Sequence, residues 1–262
     1  MSTQRKPVEY GDEYVYRRGL ILRTTVGSQV HGINIPGSDD HDEMGIFIEP
    51  AEIVLGPIGA MDHYISRTQP EGARSGPGDT DLTAYSLRKY MRLAIKGNPT
   101  VLLPLFAPDD MVLDTTHLGN ELRSMRSAFL SKAAVYRFLG YSQSQRERCV
   151  SGRRTPNRPE LVEKYGFDTK YASHALRLAW QGLEIATSGN LTLPLPPIER
   201  TLVMAVKTGQ FELAEVLRKL DTLNVEIREA RLAEFRKPAA APAVVSERAI
   251  VADRKSTRLN SS

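Results

Sequence analysis

A run of nineteen residues, 27–45, constrains this chain more than any other segment. It places a Gly-Ser pair, Gly27-Ser28, shortly before an Asp-x-Asp pair, Asp40 and Asp42. Apolar stretches predict one strand that leads into the Gly-Ser pair and another that starts just after the acids. The run therefore predicts a strand–turn–acidic strand unit, in which the turn and the two acids lie close together.

The alternation of side chains along a strand gives the acids a common direction. Side chains two apart share a face, so Asp40, Asp42 and Met44 point the same way. Two carboxylates at the head of an apolar face are costly unless a cation compensates them. Carboxylates that hold Mg²⁺ beside N–H groups that bind phosphates are the parts that phosphoryl and nucleotidyl transfer need. The alternative is a solvated acidic turn, because Gly, Ser and Asp are also ordinary loop residues.

These residues resemble a known family. The pattern is similar to that of the nucleotidyltransferases of the DNA polymerase beta superfamily. It is most similar to the RNA repair pathway DNA polymerase beta family, which has bacteriophage members. The doubled aspartate, Asp39-Asp40, departs from the usual single residue and leaves open which of the two is the first metal ligand. The resemblance covers roughly residues 18 to 210 and rests on these segments: Gly27-Ser28, Gly32, Ser38 to Asp42, Gly45, Asp81 to Tyr85 with the helix after it, Lys96 to Pro99, and Tyr165 to Arg177.

The resemblance implies both a fold and an activity. The fold is an α/β (α+β) nucleotidyltransferase domain with a small mixed sheet, followed by an all-helical domain. The activity is transfer of a nucleoside monophosphate from an NTP to an acceptor hydroxyl, with release of pyrophosphate. Asp40, Asp42 and Asp81 would hold two Mg²⁺ ions, or Mn²⁺, while Gly27 and Ser28 would bind the phosphates. For Asp81 the alternative is a polar residue that merely begins a strand.

A second candidate site lies on a helix that is predicted to begin near Asp168. Lys170, His174, Arg177 and Gln181 follow at intervals that place them on one stripe of that helix. A cationic stripe packed beside an acidic metal site is suited to binding a triphosphate, and the resemblance includes these positions. A solvated polar face is the alternative for the stripe, and a satisfied core histidine is the alternative for His174.

The chain divides by composition into five parts. We expect a peripheral N-terminal segment (1–17), a nucleotidyltransferase domain (18–115), a helical domain (116–237) and an Ala/Pro-rich tail (238–252). The last ten residues, 253–262, read as the translation of a sequencing adapter and are left out of the fold. Because three basic residues lie in those ten, the net charge of +4 says little about nucleic-acid binding.

Two segments flank the third aspartate. The stretch from Gln69 to Thr80 is rich in Gly and Pro, which predicts a mobile surface loop next to the site. The helix predicted over 86–96 shows Arg88, Arg92 and Lys96 on one face. Such a basic face is more typical of solvated helix surface than of a phosphate site.

Composition indicates the cellular compartment but does not identify the acceptor substrate. A single cysteine, Cys149, suits a reducing compartment. No apolar run reaches membrane-spanning length and no signal peptide opens the chain, so we expect a cytoplasmic protein without a membrane partner. The acceptor could be an RNA end, a protein hydroxyl or a small molecule. Two other functions stay open: a non-catalytic, antitoxin-like binding module, against which the intact Gly-Ser pair and three acids argue, and a hydrolytic phosphatase.

Overall fold

The computed structural model describes most of the chain. The expectations for Asp39 and for the segments 238–252 and 253–262 fall outside the residues that it describes. None of the described helices is long and apolar enough to span a membrane. The described residues are 7–35, 37, 40–57, 59–73, 75–150 and 158–232.

The strands of the described residues form one mixed sheet in the order β1-β4-β5-β3-β2-β6. β3 and β5 are parallel neighbours, whereas the other adjacent pairs are antiparallel. A small mixed sheet followed by helices is the predicted fold class, which is thereby confirmed. The strands are β1 (Pro7–Tyr10), β2 (Leu20–Thr25), β3 (His41–Phe47), β4 (His63–Pro70), β5 (Thr80–Ser86) and β6 (Val112–Thr115).

Short helices connect the strands, and longer ones make up the C-terminal half. The first six are α1 (Glu13–Gly19), α2 (Gly27–Val30), α3 (Ala51–Leu55), α4 (Leu87–Ala94), α5 (Pro99–Phe106) and α6 (His117–Ser124). The others are α7 (Lys132–Val150), α8 (Pro159–Tyr165), α9 (Thr169–Ser188), α10 (Pro197–Lys207) and α11 (Leu213–Leu232).

Helix α9, which carries the predicted cationic stripe, is bounded by local sequence signals. The Asp168 side chain accepts hydrogen bonds from the backbone N–H groups of Lys170 and Tyr171, so Asp168 is the N-cap. Gly189 ends the helix in the left-handed conformation that glycine adopts without strain. The predicted start of this helix is confirmed.

The N-terminal segment is more integrated than its polar composition predicts. Strand β1 is an edge strand paired with β4, and α1 buries Val15 and Tyr16. The Tyr16 ring stacks on Tyr64 at 4.8 Å between centroids, which attaches α1 to the sheet. Residues 7–17 thus contribute an edge strand and two buried side chains to the described structure. Two buried side chains, Val15 and Tyr16, anchor the region, although most of its residues are polar.

A strand occupies part of the region that was predicted to be a loop. β4 runs through Gln69 to Pro70 and pairs with β5 in an antiparallel hairpin. Only the stretch between β4 and β5 is a loop, and its Gly and Pro residues suit the turn that joins the two strands. The prediction was wrong for the first residues because Pro70 is aligned with Pro7 of β1, which extends β4 beyond its pairing with β5.

The helical half packs directly on the sheet. One core cluster contains Leu22 of β2 and Ile46 of β3 together with Phe138 of α7 and Leu178 of α9. A second cluster joins Ile33, which follows α2, to residues of α9 and α10. The segment after the Gly-Ser pair is therefore held against the helices that carry the cationic stripe.

Candidate active site

The three predicted aspartates come together at one edge of the sheet. Asp42 in β3 and Asp81 in β5 are register partners, and Asp40 directly precedes β3. Parallel neighbours begin at the same edge, so both strands bring their first residues to one place. Ligand oxygens of Asp40, Asp42 and Asp81 all lie within 4.8 Å of one another, and each residue is partly buried. A cluster of three carboxylates is suited to binding a hard divalent cation.

The next residue of β3 faces a different environment. Glu43 is buried and accepts hydrogen bonds from Arg23, and it lies 3.1 Å from His41 Nε2. Neighbouring basic side chains thus balance the charge of Glu43. Alternation along the strand explains why Glu43 and Asp42 face different surroundings. Asp42 has no such cationic contact of its own among the described ion pairs. Of these two carboxylates of β3, Asp42 is therefore the one that needs a further cation.

Gly27 lies against the carboxylate of Asp42. Its φ is +66°, in the region that favours glycine, and a β-carbon added there would lie 2.8 Å from Asp42 Cγ. The backbone N–H of Val26 also donates to the Asp42 carbonyl at 2.9 Å. The predicted Gly-Ser turn is in fact the first turn of the short helix α2, so Gly27 and Ser28 lie beside the acid cluster.

The surroundings of Asp42 disfavour its charged form. Burial, followed by the charges of Asp40 and Asp81, raises the pKa of Asp42 from 3.8 to about 6. Lys170 and His41 oppose this rise in the pKa. The influence of Lys170 shows that the N-terminal end of α9 lies close enough to the acids to act on them electrostatically.

Two residues that the sequence analysis did not single out hold Asp81 in place. Gln69 Nε2 donates to Asp81 Oδ1 at 2.7 Å, and Ser75 Oγ donates to Asp81 Oδ2 at 2.8 Å. Gln69 is buried and also donates to Ser75 Oγ at 2.5 Å. The connection between β4 and β5 thus orients the third acid. No spacing rule would have found this pair, because it depends on the hairpin register.

The cationic stripe of α9 is partly buried instead of solvated. His174 is neutral at pH 7, because burial, with Arg177, Lys170, Arg158 and Lys207 nearby, lowers its pKa to about 3. Burial lowers the pKa of Arg177 to about 10, which still leaves the guanidinium charged. Several cationic side chains thus converge on one region around His174. The interpretation of the stripe as a solvated polar face does not hold.

A polar chain links the stripe to the helix that begins at Gly27. Arg177 Nη1 donates to Gln181 Oε1 at 2.8 Å, and Gln181 Nε2 lies 3.4 Å from His31 Nδ1. His31 follows α2 and is buried, and burial lowers its pKa well below the usual value. His31 and Lys207 were not predicted as part of this region. Their placement comes from the packing of α2 and α10 on α9.

The basic face of α4 behaves differently. Arg88 lies 3.3 Å from Glu49, and Arg92 lies 3.4 Å from Asp62. These ion pairs are partly exposed and occupy the guanidinium groups. The contacts of Arg88 and Arg92 therefore fit the interpretation of this face as an ordinary helix surface.

Two known proteins are similar to parts of this chain or to its fold. A phage protein, the uncharacterized 38.9 kDa protein in the nrdC-mobD intergenic region of Enterobacteria phage T4, is 28% identical over 128 residues. That alignment spans 48% of this chain and 37% of the phage protein, little more than a third of its length. The crystal structure of a nucleotidyltransferase-like protein from Exiguobacterium sibiricum shares 10% identity with a TM-score of 0.35, over 87% of this chain and 78% of that one.

The family comparison extends over most of the sequence. A sequence profile of the RNA repair pathway DNA polymerase beta family matches residues 7–244. The match includes the acid cluster, the Gly-Ser pair and the whole of α9. The chain therefore belongs to the RNA repair pathway DNA polymerase beta family, as its Gly-Ser and aspartate pattern had indicated.

Proposed function

We propose that this protein is a metal-dependent nucleotidyltransferase that moves a nucleoside monophosphate from an NTP to an acceptor hydroxyl. The observation that carries the proposal is the convergence of Asp40, Asp42 and Asp81, with ligand oxygens within 4.8 Å of one another. Family membership supports a transferase role, because nucleotidyl transfer is what the resemblance implies for this residue pattern.

The acid cluster fits a pair of divalent cations. Three carboxylates in one place repel one another, and Asp42 already has a pKa raised to about 6 by burial and by its acidic neighbours. Two bound Mg²⁺ ions, or Mn²⁺, would supply Lewis-acid activation of the acceptor hydroxyl and charge neutralisation on the triphosphate. Asp40 and Asp42 would ligate both ions, and Asp81 would complete the site for the ion nearest the acceptor.

The remaining residues bind and orient the substrates in this proposal. Gly27 allows the backbone to lie against the acid cluster, and Ser28 donates to phosphate oxygens. Lys170 and Arg177 contact the triphosphate as cations, and neutral His174 contacts it as a hydrogen-bond donor. The acceptor oxygen forms a bond to the α-phosphorus while the bond to the β-phosphate oxygen breaks. Pyrophosphate leaves, and the acceptor proton passes to solvent.

A labelling experiment tests the proposal. The full chain is incubated with each α-³²P NTP and Mg²⁺, with total RNA, with protein or without acceptor. The expected result is label in one acceptor fraction and one pyrophosphate released for each transfer. Asp40→Asn and Asp42→Asn should each lower kcat by orders of magnitude while the fold persists.

The control is Asp62→Asn, because Asp62 pairs with Arg92 and Lys89 away from the acid cluster. This variant should keep wild-type turnover. Phosphate or nucleotide hydrolysis without a labelled acceptor would replace the proposal with a phosphatase. NTP binding without any turnover would replace it with a non-catalytic binding module.

A further inference from the structure

A serine hydroxyl lies beside the third acid of the cluster. Ser75 is in the loop between β4 and β5, and its Oγ donates to Asp81 Oδ2 at 2.8 Å. Asp81 is the acid that we assign to the metal ion nearest the acceptor. A base that takes the proton of an acceptor must lie within hydrogen-bond reach of it, about 2.6–3.2 Å. The Ser75 hydroxyl therefore has the position, relative to Asp81, that an acceptor hydroxyl needs.

Ser75, Asp81 and Gln69 have the arrangement of an activated nucleophile. In such an arrangement the nucleophile donates to a base, and a third group orients the base. Here Ser75 donates to Asp81 Oδ2, and Gln69 Nε2 donates to the other carboxylate oxygen, Oδ1, at 2.7 Å. Gln69 is itself buried. The carboxylate of Asp81 is therefore held in a defined orientation toward the serine.

The same amide group also orients the serine oxygen. A serine hydroxyl has one proton and two lone pairs. The proton is directed at Asp81, and Gln69 Nε2 donates to one of the lone pairs at 2.5 Å. These two hydrogen bonds fix the direction of the second lone pair, which is the one that can form a new bond.

The loop has room for a nucleotide on Ser75. Ser75 is partly buried, whereas Ala73 and Pro77 on either side of it are exposed. Among the described residues, no heavy atom lies within 4 Å of a β-carbon built at Gly76 or at Gly78. A nucleotide attached to Ser75 can therefore extend beside these glycines without displacing the hairpin.

A second hydroxyl of the same hairpin shows the purely structural use of such a contact. Thr68 Oγ1 donates to Asp79 Oδ1 at 2.9 Å and accepts a hydrogen bond from the backbone N–H of Thr80. Asp79 does not belong to the acid cluster. Ser75 differs from Thr68 because its carboxylate partner is a proposed metal ligand. Thr68 is thus a matched control for Ser75.

We infer that Ser75 is a site of self-modification: the active site of this chain transfers a nucleoside monophosphate from an NTP to its own Ser75 Oγ. The inference rests on the proposed nucleotidyl transfer and gives it one defined acceptor. A bond forms between Ser75 Oγ and the α-phosphorus, while the bond from the α-phosphorus to the bridging oxygen of the β-phosphate breaks. Pyrophosphate leaves with that electron pair. The serine proton passes to Asp81 Oδ2, which already accepts it in a hydrogen bond, and from there to solvent.

Incubation of the full chain alone with each α-³²P NTP and Mg²⁺ tests the inference. The expected result is label on the chain, a mass gain of one nucleoside monophosphate, and a modified peptide that contains Ser75. Chelator should prevent the reaction. Ser75→Ala should lose this label completely, whereas Ser75→Thr, which keeps a hydroxyl, should retain it at a reduced rate. The matched control, Thr68→Ala, should be labelled like the wild type.

Two further measurements separate an acceptor from a residue that merely orients Asp81. Gln69→Leu should slow the labelling of Ser75 without abolishing it, because the hydroxyl is still present. The rate of labelling per chain should not change with protein concentration, because the serine and the active site belong to one molecule. Full label on the Ser75→Ala variant, or a rate per chain that grows with protein concentration, would overturn the inference.

The outcomes also separate the self-modification from the proposed function. Label on an added acceptor while the chain stays unlabelled would overturn the self-modification and leave the proposed function in place. Label on Ser28, the hydroxyl beside the acids on α2, in place of Ser75 would have the same meaning. Absence of label from both the chain and every added acceptor would overturn the proposed function, and the self-modification with it.

Discussion

Gly27 and Asp42 lie so close that residue 27 has no room for a side chain. A β-carbon there would overlap the Asp42 carboxylate and lie 2.8 Å from Cγ. The positive φ of Gly27 adds a second constraint, because only glycine adopts it without strain. The first residue of the Gly-Ser pair is thus specified by the position of a proposed metal ligand.

Substitution of Gly27 should disturb Asp42 more than the fold. We expect Gly27→Ala to reduce nucleotidyl transfer at least tenfold, because the added carbon displaces the Asp42 carboxylate. The control is Gly72→Ala, which has a similar φ of +78° but no heavy atom within 4 Å of the added carbon. Both should lose about 1–3 kcal/mol of stability from backbone strain. Similar transfer rates in the two variants would mean that the overlap with Asp42 has no consequence.

Removal of the Asp42 charge should stabilise the metal-free protein at neutral pH. The native pKa is about 6 and the ordinary value is 3.8, so the native state binds more protons between these values. The free energy of unfolding of the wild type therefore falls as pH rises through this window, and the whole of this loss is present above pH 6. The Asp42→Asn variant has no charge at this position, so its free energy of unfolding does not fall in this way.

The expected gain of Asp42→Asn over wild type grows from near zero at pH 4 to about 1–2 kcal/mol at pH 7.5, after allowance for solvent screening. Denaturant unfolding at several pH values, with chelator present, measures it. Asp62→Asn serves as the comparison. A stability difference that does not change with pH would contradict the assignment of the raised pKa to Asp42.

The stripe on α9 should matter for NTP affinity. Lys170→Ala and Arg177→Gln should each weaken NTP binding by about tenfold to a hundredfold, because charge-assisted contacts are lost. Arg177→Gln should not lower the melting temperature, since among the described residues no carboxylate forms an ion pair with this partly buried cation and a glutamine amide can still donate to Gln181. It should also raise the pKa of His174, which Arg177 depresses.

Calorimetry and NMR titration of His174 provide the measurements for the stripe. Arg92→Ala is the control, because Arg92 pairs with Asp62 on α4. Unchanged NTP affinity in both stripe variants would leave α9 with a purely structural role.

The contacts of Asp81 with Gln69 and Ser75 predict an effect on transfer that spares NTP binding. Gln69→Leu and Ser75→Ala each remove one donor to Asp81, so the carboxylate should lose its fixed orientation. We expect kcat to fall several-fold to tenfold, with the NTP dissociation constant changed less than twofold. Asp81→Asn should show the same pattern in stronger form. Equal losses of NTP affinity and turnover would assign Asp81 a simple binding role instead.

Local sequence was sufficient for the parts of the site that lie within one segment. Gly27-Ser28, Asp40 and Asp42 all lie within one short segment, and alternation along the chain at the start of β3 relates the two acids to each other. The capping residue Asp168 is equally local, because a side chain near a helix start bonds the first N–H groups. These features depend on neighbouring residues, so the sequence displays them directly.

Other parts were decided by tertiary structure. Asp81 meets Asp42 only because β5 pairs in parallel with β3, and a β4–β5 hairpin brings Gln69 to the same place. The Gly- and Pro-rich stretch hid the end of β4, a strand that pairs with both β1 and β5. Lys170 acts electrostatically on Asp42 only because α9 packs on the segment after α2. Such contacts join residues far apart in the chain, where no local periodicity records them. The sequence therefore determined the chemical groups of the site, and packing determined which of them meet.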